Sequence, residues 1–166
     1  FGDFADAIHQ KYGCKVFVFE PHPDFYEKIV NRFAESKNII PLNYGISNND
    51  GMFMLSDSVD GSSFINPNHK QEDGVRCEVR EFFSVLSDLK VDHIDLMKIN
   101  IEGGEFPLLQ YIADRDKLTV VDEYLIQFHD FVERAMIKRE NIIKALAKSH
   151  KRTWCYTFVW ENWKCK

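Results

Sequence analysis

The residues best suited to chemistry lie in one acidic stretch, Asp95 to Glu105, which begins as an apolar strand and ends in a turn with two glycines. Because side chains alternate along a strand, Lys98, Asn100 and Glu102 share one face. Polar groups on an otherwise apolar strand need partners, and open α/β sheets bind ligands at the carboxyl ends of their parallel strands. The stretch therefore predicts a functional site, and the plainer alternative is a buried ion pair followed by a tight turn.

A histidine follows the next predicted strand, Glu123 to Phe128. His129 titrates near neutrality, so it can accept a proton from a reacting group or bind a metal. Together, Glu102, His129 and Asp130 offer oxygen and nitrogen ligands that would suit a divalent ion beside a substrate hydroxyl. A purely structural histidine fits the sequence equally well. We expect the ring of His129 to lie on the same rim as Glu102, since both residues follow strands that would be adjacent.

Four other polar or aromatic side chains have two interpretations each. Lys98 needs a partner if it is buried, and Glu123 on the neighbouring strand is the one we expect. Glu105 either faces the reacting groups or caps its own helix. Trp160 and Trp163 either stack on a sugar ring or, as is commoner for aromatic residues, belong to the core.

A second element resembles a nucleotide-binding arrangement. Gly2 and Asp3 precede a helical pattern, and a buried strand, Val16 to Phe19, follows it and ends at Glu20. In dinucleotide-binding folds, an acid placed about 20 residues after a glycine turn accepts hydrogen bonds from ribose hydroxyls. The alternative for Glu20 is a charge that stabilises the start of the following helix.

Several segments together resemble the FkbM family of S-adenosylmethionine-dependent methyltransferases, and the resemblance covers nearly the whole chain. The Lys-Ile-Asn-Ile-Glu-Gly-Gly-Glu run is its most specific part, and many members carry Asp where this chain has Asn100. The segments are Phe1–Phe4, Val16–Pro21, Leu42–Ser47, Asp95–Glu105, Gln127–His129 and Phe158–Trp163.

The resemblance implies a Rossmann-like, class I methyltransferase fold: a three-layer α/β sandwich with a mostly parallel sheet and an antiparallel C-terminal strand. It implies S-adenosylmethionine as the cofactor and O-methylation of a sugar, glycan or other hydroxylated metabolite. The residues that we expect to take part in the methyl transfer are Asn100, Glu102 and His129. The residues that it places at the cofactor are Glu20 at the ribose, Gly2 and Asp3 near the methionine end, and Asn43, Gly45 and Ser47 near the adenine.

The chain opens at the last glycine of the family's glycine-rich loop. We therefore expect the chain to be a fragment that lacks the first strand and most of that loop. The length of 166 residues predicts one domain, residues 1–166. Because the loop's amides would contact the cofactor, we expect weak cofactor binding by this chain.

Two rival functions remain open at this point. A nicotinamide-dependent oxidoreductase would use Glu20, the acid after the strand Val16 to Phe19, equally well. The acidic double-glycine turn argues against this function. A truncated domain could also serve as a non-catalytic binding module, which the lost loop and Asn100 support.

Composition excludes some classes of protein. A net charge of −5 argues against a general nucleic-acid binder, and no apolar run approaches the roughly 18 residues of a membrane span. The four cysteines show neither paired spacing nor a disulfide framework, which favours reduced thiols in a cytoplasmic enzyme. The sequence leaves the oligomeric state open.

The pattern of apolar residues predicts alternating strands and helices, as in an α/β sandwich. Pro41 places its strand at a sheet edge. The long polar segment from Asp57 to Gly74 is either a functional flap or disordered. The expected helices are 4–12, one from Pro23, 82–89, 105–113 and 131–149, the last with Ala135, Ile142, Ile143 and Leu146 facing inward. The expected strands are 16–19, 38–42, 52–55, 75–79, the acidic stretch, 123–128 and 153–160, and we expect 75–79 to pair with 52–55.

Overall fold

The computed structural model describes residues 1–56 and 74–166, and these form an α/β fold, as the sequence predicted. The α-helices are α1 (Asp3–Tyr12), α2 (Pro23–Arg32), α3 (Phe82–Leu89), α4 (Glu105–Asp114) and α5 (Ala135–Ser149). The strands are β1 (Val16–Phe19), β2 (Ile39–Leu42), β3 (Gly45–Ser47), β4 (Gly51–Ser56), β5 (Gly74–Glu81), β6 (Ile94–Ile99), β7 (Val121–Ile126), β8 (His150–Tyr156) and β9 (Trp160–Cys165). The polar segment from Asp57 to Gly74, for which a flap and disorder were both considered, lies outside the described part of the chain except for Gly74, which begins β5.

The first sheet is a parallel pair of β1 and β2, with Val16 beside Ile39 and Phe19 beside Leu42. Within the described residues β2 pairs only with β1. Pro41, which has no N–H to donate, therefore lies in an edge strand, as predicted.

The second sheet has the order β3-β5-β4. Strands β4 and β5 pair antiparallel, from Gly51 beside Val79 to Ser56 beside Gly74, which confirms the expected pairing of these two segments. The short strand β3 pairs parallel with the other edge of β5, so that Gly45 lies beside Val79.

The third sheet has the order β6-β7-β9-β8 and positions the candidate site. Strands β6 and β7 are parallel, with Ile94 beside Val121 and Ile99 beside Ile126. Their carboxyl ends therefore meet at one edge, where a backbone hydrogen bond of 2.9 Å from Gln127 N to the Ile99 carbonyl continues the pairing.

The C-terminal segment is a hairpin, so the prediction of one strand over residues 153–160 is wrong. The backbone reverses at residues 157–159, where Phe158 has a left-handed φ of 57° and Val159 N donates to the Tyr156 carbonyl over 2.8 Å. Strand β9 then pairs antiparallel with β7, and β8 pairs antiparallel with β9. The sequence pattern does not reveal this reversal, because the alternation of aromatic residues continues from β8 through the turn to the start of β9.

A single, mostly parallel sheet is not what the described strands form. They form three separate sheets. Each of the two larger sheets contains antiparallel pairs of strands as well as a parallel pair. Among the described residues β1 pairs only with β2, and β6 only with β7. The α/β class is confirmed, and the Rossmann-like arrangement remains an expectation.

Two apolar cores hold these elements. The larger one lies between the third sheet and helices α3, α4 and α5, and its members from α5 are three of the residues predicted to face inward: Ala135, Ile142 and Leu146. The smaller one joins α1 and α2 to the first sheet through Ala5, Ile29, Phe33 and Ile39.

Helix α5 begins four residues later than the predicted 131–149, because Arg134 has a left-handed φ of 56° and cannot continue a right-handed helix backward. In the described part of the chain, no helix has the length and apolar character needed to cross a membrane.

Candidate active site

The turn after β6 has an unusual backbone. Glu102 has a left-handed φ of 48° and Gly103 a φ of 100°, and Gly104 N donates to the Ile101 carbonyl over 2.9 Å. The first of these conformations is uncommon for a residue with a Cβ atom, and the second suits glycine. The turn brings the carboxylates of Glu102 and Glu105 to the two nitrogens of one ring, that of His129.

Glu105, the first residue of α4, is a carboxylate with no exposed surface. One oxygen accepts the Gly103 N–H over 2.8 Å. The other accepts the backbone N–H of His129 over 2.9 Å and lies 3.1 Å from Nδ1 of the same residue. Since a buried charge needs hydrogen bonds to be tolerated, these contacts explain how the carboxylate can be enclosed.

His129 lies between two carboxylates. Its Nδ1 contacts Glu105, and its Nε2 lies 3.3 Å from a carboxylate oxygen of Glu102. The histidine is 9% exposed, whereas the Glu102 side chain is 27% exposed. The ring of Phe131, itself half exposed, lies 5.3 Å from the imidazole. The expectation that His129 and Glu102 share a rim thus agrees with their positions.

The pKa of His129 is raised above its usual range. Burial acts to lower it, but the hydrogen bond with Glu105 and the charges of Glu105, Glu102 and Asp130 outweigh that effect. Nearby carboxylates stabilise the imidazolium form. His129 therefore keeps its proton to a higher pH than a free histidine does.

Asn100 is exposed directly after the end of β6, and within the described residues it makes no hydrogen bond to Glu102 or His129. Its amide is thus at the same strand end as the acidic turn but separate from the cluster of Glu102, Glu105 and His129.

Glu20 ends the first strand of the other parallel pair. One of its carboxylate oxygens accepts the backbone N–H of His22, the residue before α2, over 2.9 Å. In the described part of the chain, the second oxygen has no hydrogen-bonding partner. Burial raises the pKa of this carboxyl, although the bond from His22 opposes the shift. One oxygen of Glu20 therefore contacts the start of α2, and ribose binding by this carboxylate stays a prediction.

Asn43 lies beside Glu20. Its side-chain amide donates to the Glu20 carbonyl over 3.0 Å, which joins the ends of β1 and β2. Gly45 follows, and a Cβ there would lie 3.1 Å from a methyl carbon of Val79 and 3.6 Å from the Pro21 ring. Ser47 donates its hydroxyl to the Asn48 side chain over 3.1 Å. The close approach at Gly45 shows that this glycine has a packing role.

Gly2 and Asp3 start α1. Gly2 has a φ of 80°, and a Cβ there would lie 2.6 Å from the ring of Phe33, so this position requires glycine. The Asp3 carboxylate is largely exposed and forms an ion pair with Arg32 of α2, which also binds Asp6 over 3.0 Å. Asp3 therefore joins two helices.

Lys98 does not pair with Glu123, so that prediction is wrong. Its ammonium lies 4.7 Å from the centre of the Trp160 ring and 5.2 Å from that of Phe4, and desolvation lowers its pKa. The register explains the error, because Leu96 rather than Lys98 is the partner of Glu123 across the strands.

The two tryptophans differ. Trp163 is 3% exposed in the larger core and donates to Glu161 over 3.2 Å, which is the commoner of the two outcomes considered. Trp160 is half-buried and lies over Lys98.

One group of potential metal ligands lies elsewhere. Within the described residues, His93, Asp95 and Asp122 have ligand atoms within 4.8 Å of one another, and all three side chains are at the surface. They stand at the amino ends of β6 and β7, opposite the acidic turn. Among the described residues, no group of potential metal ligands includes Glu102 or His129.

Residues 1–147, most of the chain, match the family described as Methyltransferase FkbM domain. No curated protein matches the chain, and no solved structure does. The matched region contains Glu20, Glu102, Glu105 and His129.

Proposed function

The chain belongs to the methyltransferase FkbM family, and from that premise we propose that it methylates a hydroxyl oxygen with S-adenosylmethionine as the methyl donor. We propose a glycan or another hydroxylated metabolite as the acceptor.

The residues at the end of β1 fit the donor's ribose. A ribose offers two neighbouring hydroxyl donors, and Glu20 has one carboxylate oxygen without a partner in the described part of the chain. Asn43 fixes the backbone of Glu20 by its bond to the carbonyl. A carboxylate held in this way can accept hydrogen bonds from a diol.

S-adenosylmethionine supplies, when bound, a methyl group already activated on a positively charged sulfur. What remains for the protein is to orient the two reactants and to remove one proton, because a hydroxyl is a poor nucleophile until it is deprotonated. We assign the proton to Nε2 of His129, with Glu102 stabilising the imidazolium that results.

The observation that carries this proposal is the contact of Nε2 of His129 with Glu102 at 3.3 Å, at the carboxyl ends of two adjacent parallel strands. Ligands of open α/β sheets bind at this end. The residual exposure of Glu102 leaves the pair accessible to a hydroxyl group.

We also propose that the protein acts in the cytoplasm. All four cysteines, Cys14, Cys77, Cys155 and Cys165, are free thiols, and free thiols are typical of reducing compartments.

Transfer of labelled methyl groups tests the proposed function. The chain is incubated with S-adenosylmethionine labelled in the methyl group and with a panel of monosaccharides, oligosaccharides and aliphatic alcohols. We expect label in an ether linkage on a hydroxylated acceptor and less label from His129→Asn. Label on nitrogen or carbon acceptors only would contradict O-methylation.

A thermal-shift comparison separates the oxidoreductase alternative. We expect S-adenosylhomocysteine to raise the melting temperature more than NAD does. A larger rise with NAD would favour the oxidoreductase and contradict the methyltransferase proposal.

A further inference from the structure

Glu105 differs from the other carboxylates near the site because it is fully enclosed and has three N–H contacts. A carboxylate can cap a helix without being enclosed. Glu81, before α3, accepts hydrogen bonds from Phe83 N and Ser84 N while remaining partly exposed. Two of the three contacts of Glu105 go to His129, which is distant in sequence. Glu105 therefore holds the histidine as well as its own turn.

We propose that Glu105 is the positioning residue of the site: it fixes His129 in the tautomer with hydrogen on Nδ1, so that Nε2 is the atom that exchanges a proton with the substrate hydroxyl. The catalytic half of this statement rests on the proposed function, whereas the tautomer does not.

The assignment of hydrogens follows from the acceptors. Both oxygens of Glu105 accept backbone N–H groups, which suits the ionised carboxylate, a group that can only accept. An Nδ1 atom 3.1 Å from such an oxygen must carry the hydrogen. In the neutral ring the lone pair is then on Nε2, because only one nitrogen keeps a hydrogen.

The charged groups around His129 act in the same direction. Glu105 faces the ring from α4, Glu102 faces it from the turn after β6, and Asp130 follows it in sequence. All three are acids and favour the imidazolium. The ring contact from Phe131 is uncharged. The site is therefore built to hold the proton that methyl transfer releases.

The proton and the electrons balance. The acceptor oxygen forms a bond to the methyl carbon as the bond from that carbon to sulfur breaks, and the electron pair of the broken bond stays on sulfur. The hydroxyl proton moves to Nε2 of His129. The imidazolium then donates from Nδ1 to Glu105 and is stabilised by the charge of Glu102, whose carboxylate lies 3.3 Å from Nε2. It loses the extra proton to solvent before the next cycle.

Nitrogen NMR of the histidine rings tests the tautomer without any substrate. We would titrate the ¹⁵N-labelled chain and assign His129 by its absence from the His129→Asn spectrum. We expect the neutral ring to carry hydrogen on Nδ1 and the ring to titrate above the usual histidine range. A neutral ring with hydrogen on Nε2 would overturn the proposal.

Glu105→Gln, compared with Glu81→Gln, tests the cause. We expect Glu105→Gln to shift the titration of His129 to lower pH and to restore part of the Nε2-protonated tautomer. The matched control removes a helix-capping carboxylate elsewhere, and it should leave His129 unchanged. An unchanged His129 titration in folded Glu105→Gln would contradict the positioning role.

Methyl-transfer assays separate a failure of the positioning contact from a failure of the proposed function. If the tautomer and its dependence on Glu105 are found but no methyl transfer occurs, the positioning contact stands and the proposed function fails. If methyl transfer occurs and Glu105→Gln leaves the acid limb of its pH profile unchanged, the function stands and the positioning role fails.

Discussion

The Nε2 atom of His129 lies 3.3 Å from a carboxylate oxygen of Glu102, although the two residues come from different strand ends. They meet because β6 and β7 are parallel neighbours and because Glu102 takes a left-handed conformation. Glu105 supports the pair by accepting hydrogen bonds from both the turn and the histidine. The geometry of the candidate site is thus a product of sheet topology and of one turn.

Replacement of His129 should affect turnover and leave donor binding intact. We expect His129→Asn to lower kcat by about 10² to 10⁴, the range for loss of a general base, with an unchanged Kd for S-adenosylhomocysteine. Steady-state kinetics and calorimetry measure the two quantities. His93→Asn is the matched control, because His93 is an exposed histidine that pairs with Asp122 at the opposite end of the strands. Equal losses in both variants would assign the effect to something other than the base.

The pH dependence of kcat should report His129. Burial lowers its pKa, but the bond to Glu105 and the charges of Glu105, Glu102 and Asp130 raise it more. A base works only when unprotonated, so activity should fall as pH decreases through a value above the usual range near 6.5. Glu102→Gln removes one of the acids and should move this limb to lower pH. A limb that stays in place in Glu102→Gln would contradict the assignment.

Glu20→Gln should weaken donor binding by about 1.5–3 kcal/mol, the contribution of hydrogen bonds to a charged group. Because burial raises the pKa of Glu20, its charged form opposes folding above that pKa. The ligand-free variant should therefore melt no lower than the parent chain. Calorimetry with S-adenosylhomocysteine and a thermal melt test both points. Glu27→Gln, on the exposed side of α2, is the control. An unchanged Kd would leave Glu20 with its helix role alone.

The ion pair between Arg139 and Glu161 is enclosed, with exposures of 6% and 1%. Arg139→Met removes the nearer cation from the buried Glu161 carboxylate and leaves Arg152, whose guanidinium lies 4.0 Å away. We expect a loss of about 3 kcal/mol in the free energy of unfolding, the lower end of the range for breaking a buried ion pair. Arg80→Met, which breaks an exposed pair with Asp88, should cost roughly 1 kcal/mol or less. Urea unfolding measures both, and similar losses would show that burial is not the deciding factor.

The four thiols should differ in reactivity. Burial raises the pKa of Cys77 to about 11, and the thiolate is the reactive form. In the folded chain at pH 8, Cys77 should react with a disulfide reagent far more slowly than Cys14. After unfolding without reductant, four thiols should be counted. A count of two or fewer would reveal disulfides and contradict the cytoplasmic proposal.

Local patterns predicted much of this fold. Helix α3 has the predicted bounds, Phe82–Leu89, and β4 and β5 pair as expected, because helical periodicity and a nearby turn are properties of short segments. The edge position of β2 followed from Pro41 alone.

Other features depend on contacts between distant segments. The register that separates Lys98 from Glu123 is set by pairing across two strands, and no single-strand pattern contains it. The same holds for Glu105, whose bond to His129 joins residues far apart in sequence. From the sequence, Glu105 was equally compatible with a helix cap, and the structure shows that one carboxylate contacts both its own turn and the histidine.

A ¹⁵N NMR titration of the chain with S-adenosylhomocysteine tests whether a methyl donor binds at the carboxyl ends of these strands, since it detects even weak binding and locates it. We predict saturable shifts at Glu20, Asn43 and Gly45 and at the turn around Glu102, with smaller shifts for the same concentrations of NAD. The Glu20→Gln spectrum should require more ligand to reach the same shifts. Absence of saturable shifts up to millimolar ligand, or shifts confined to the opposite end of the strands near His93 and Asp122, would contradict a methyl-donor site at this edge.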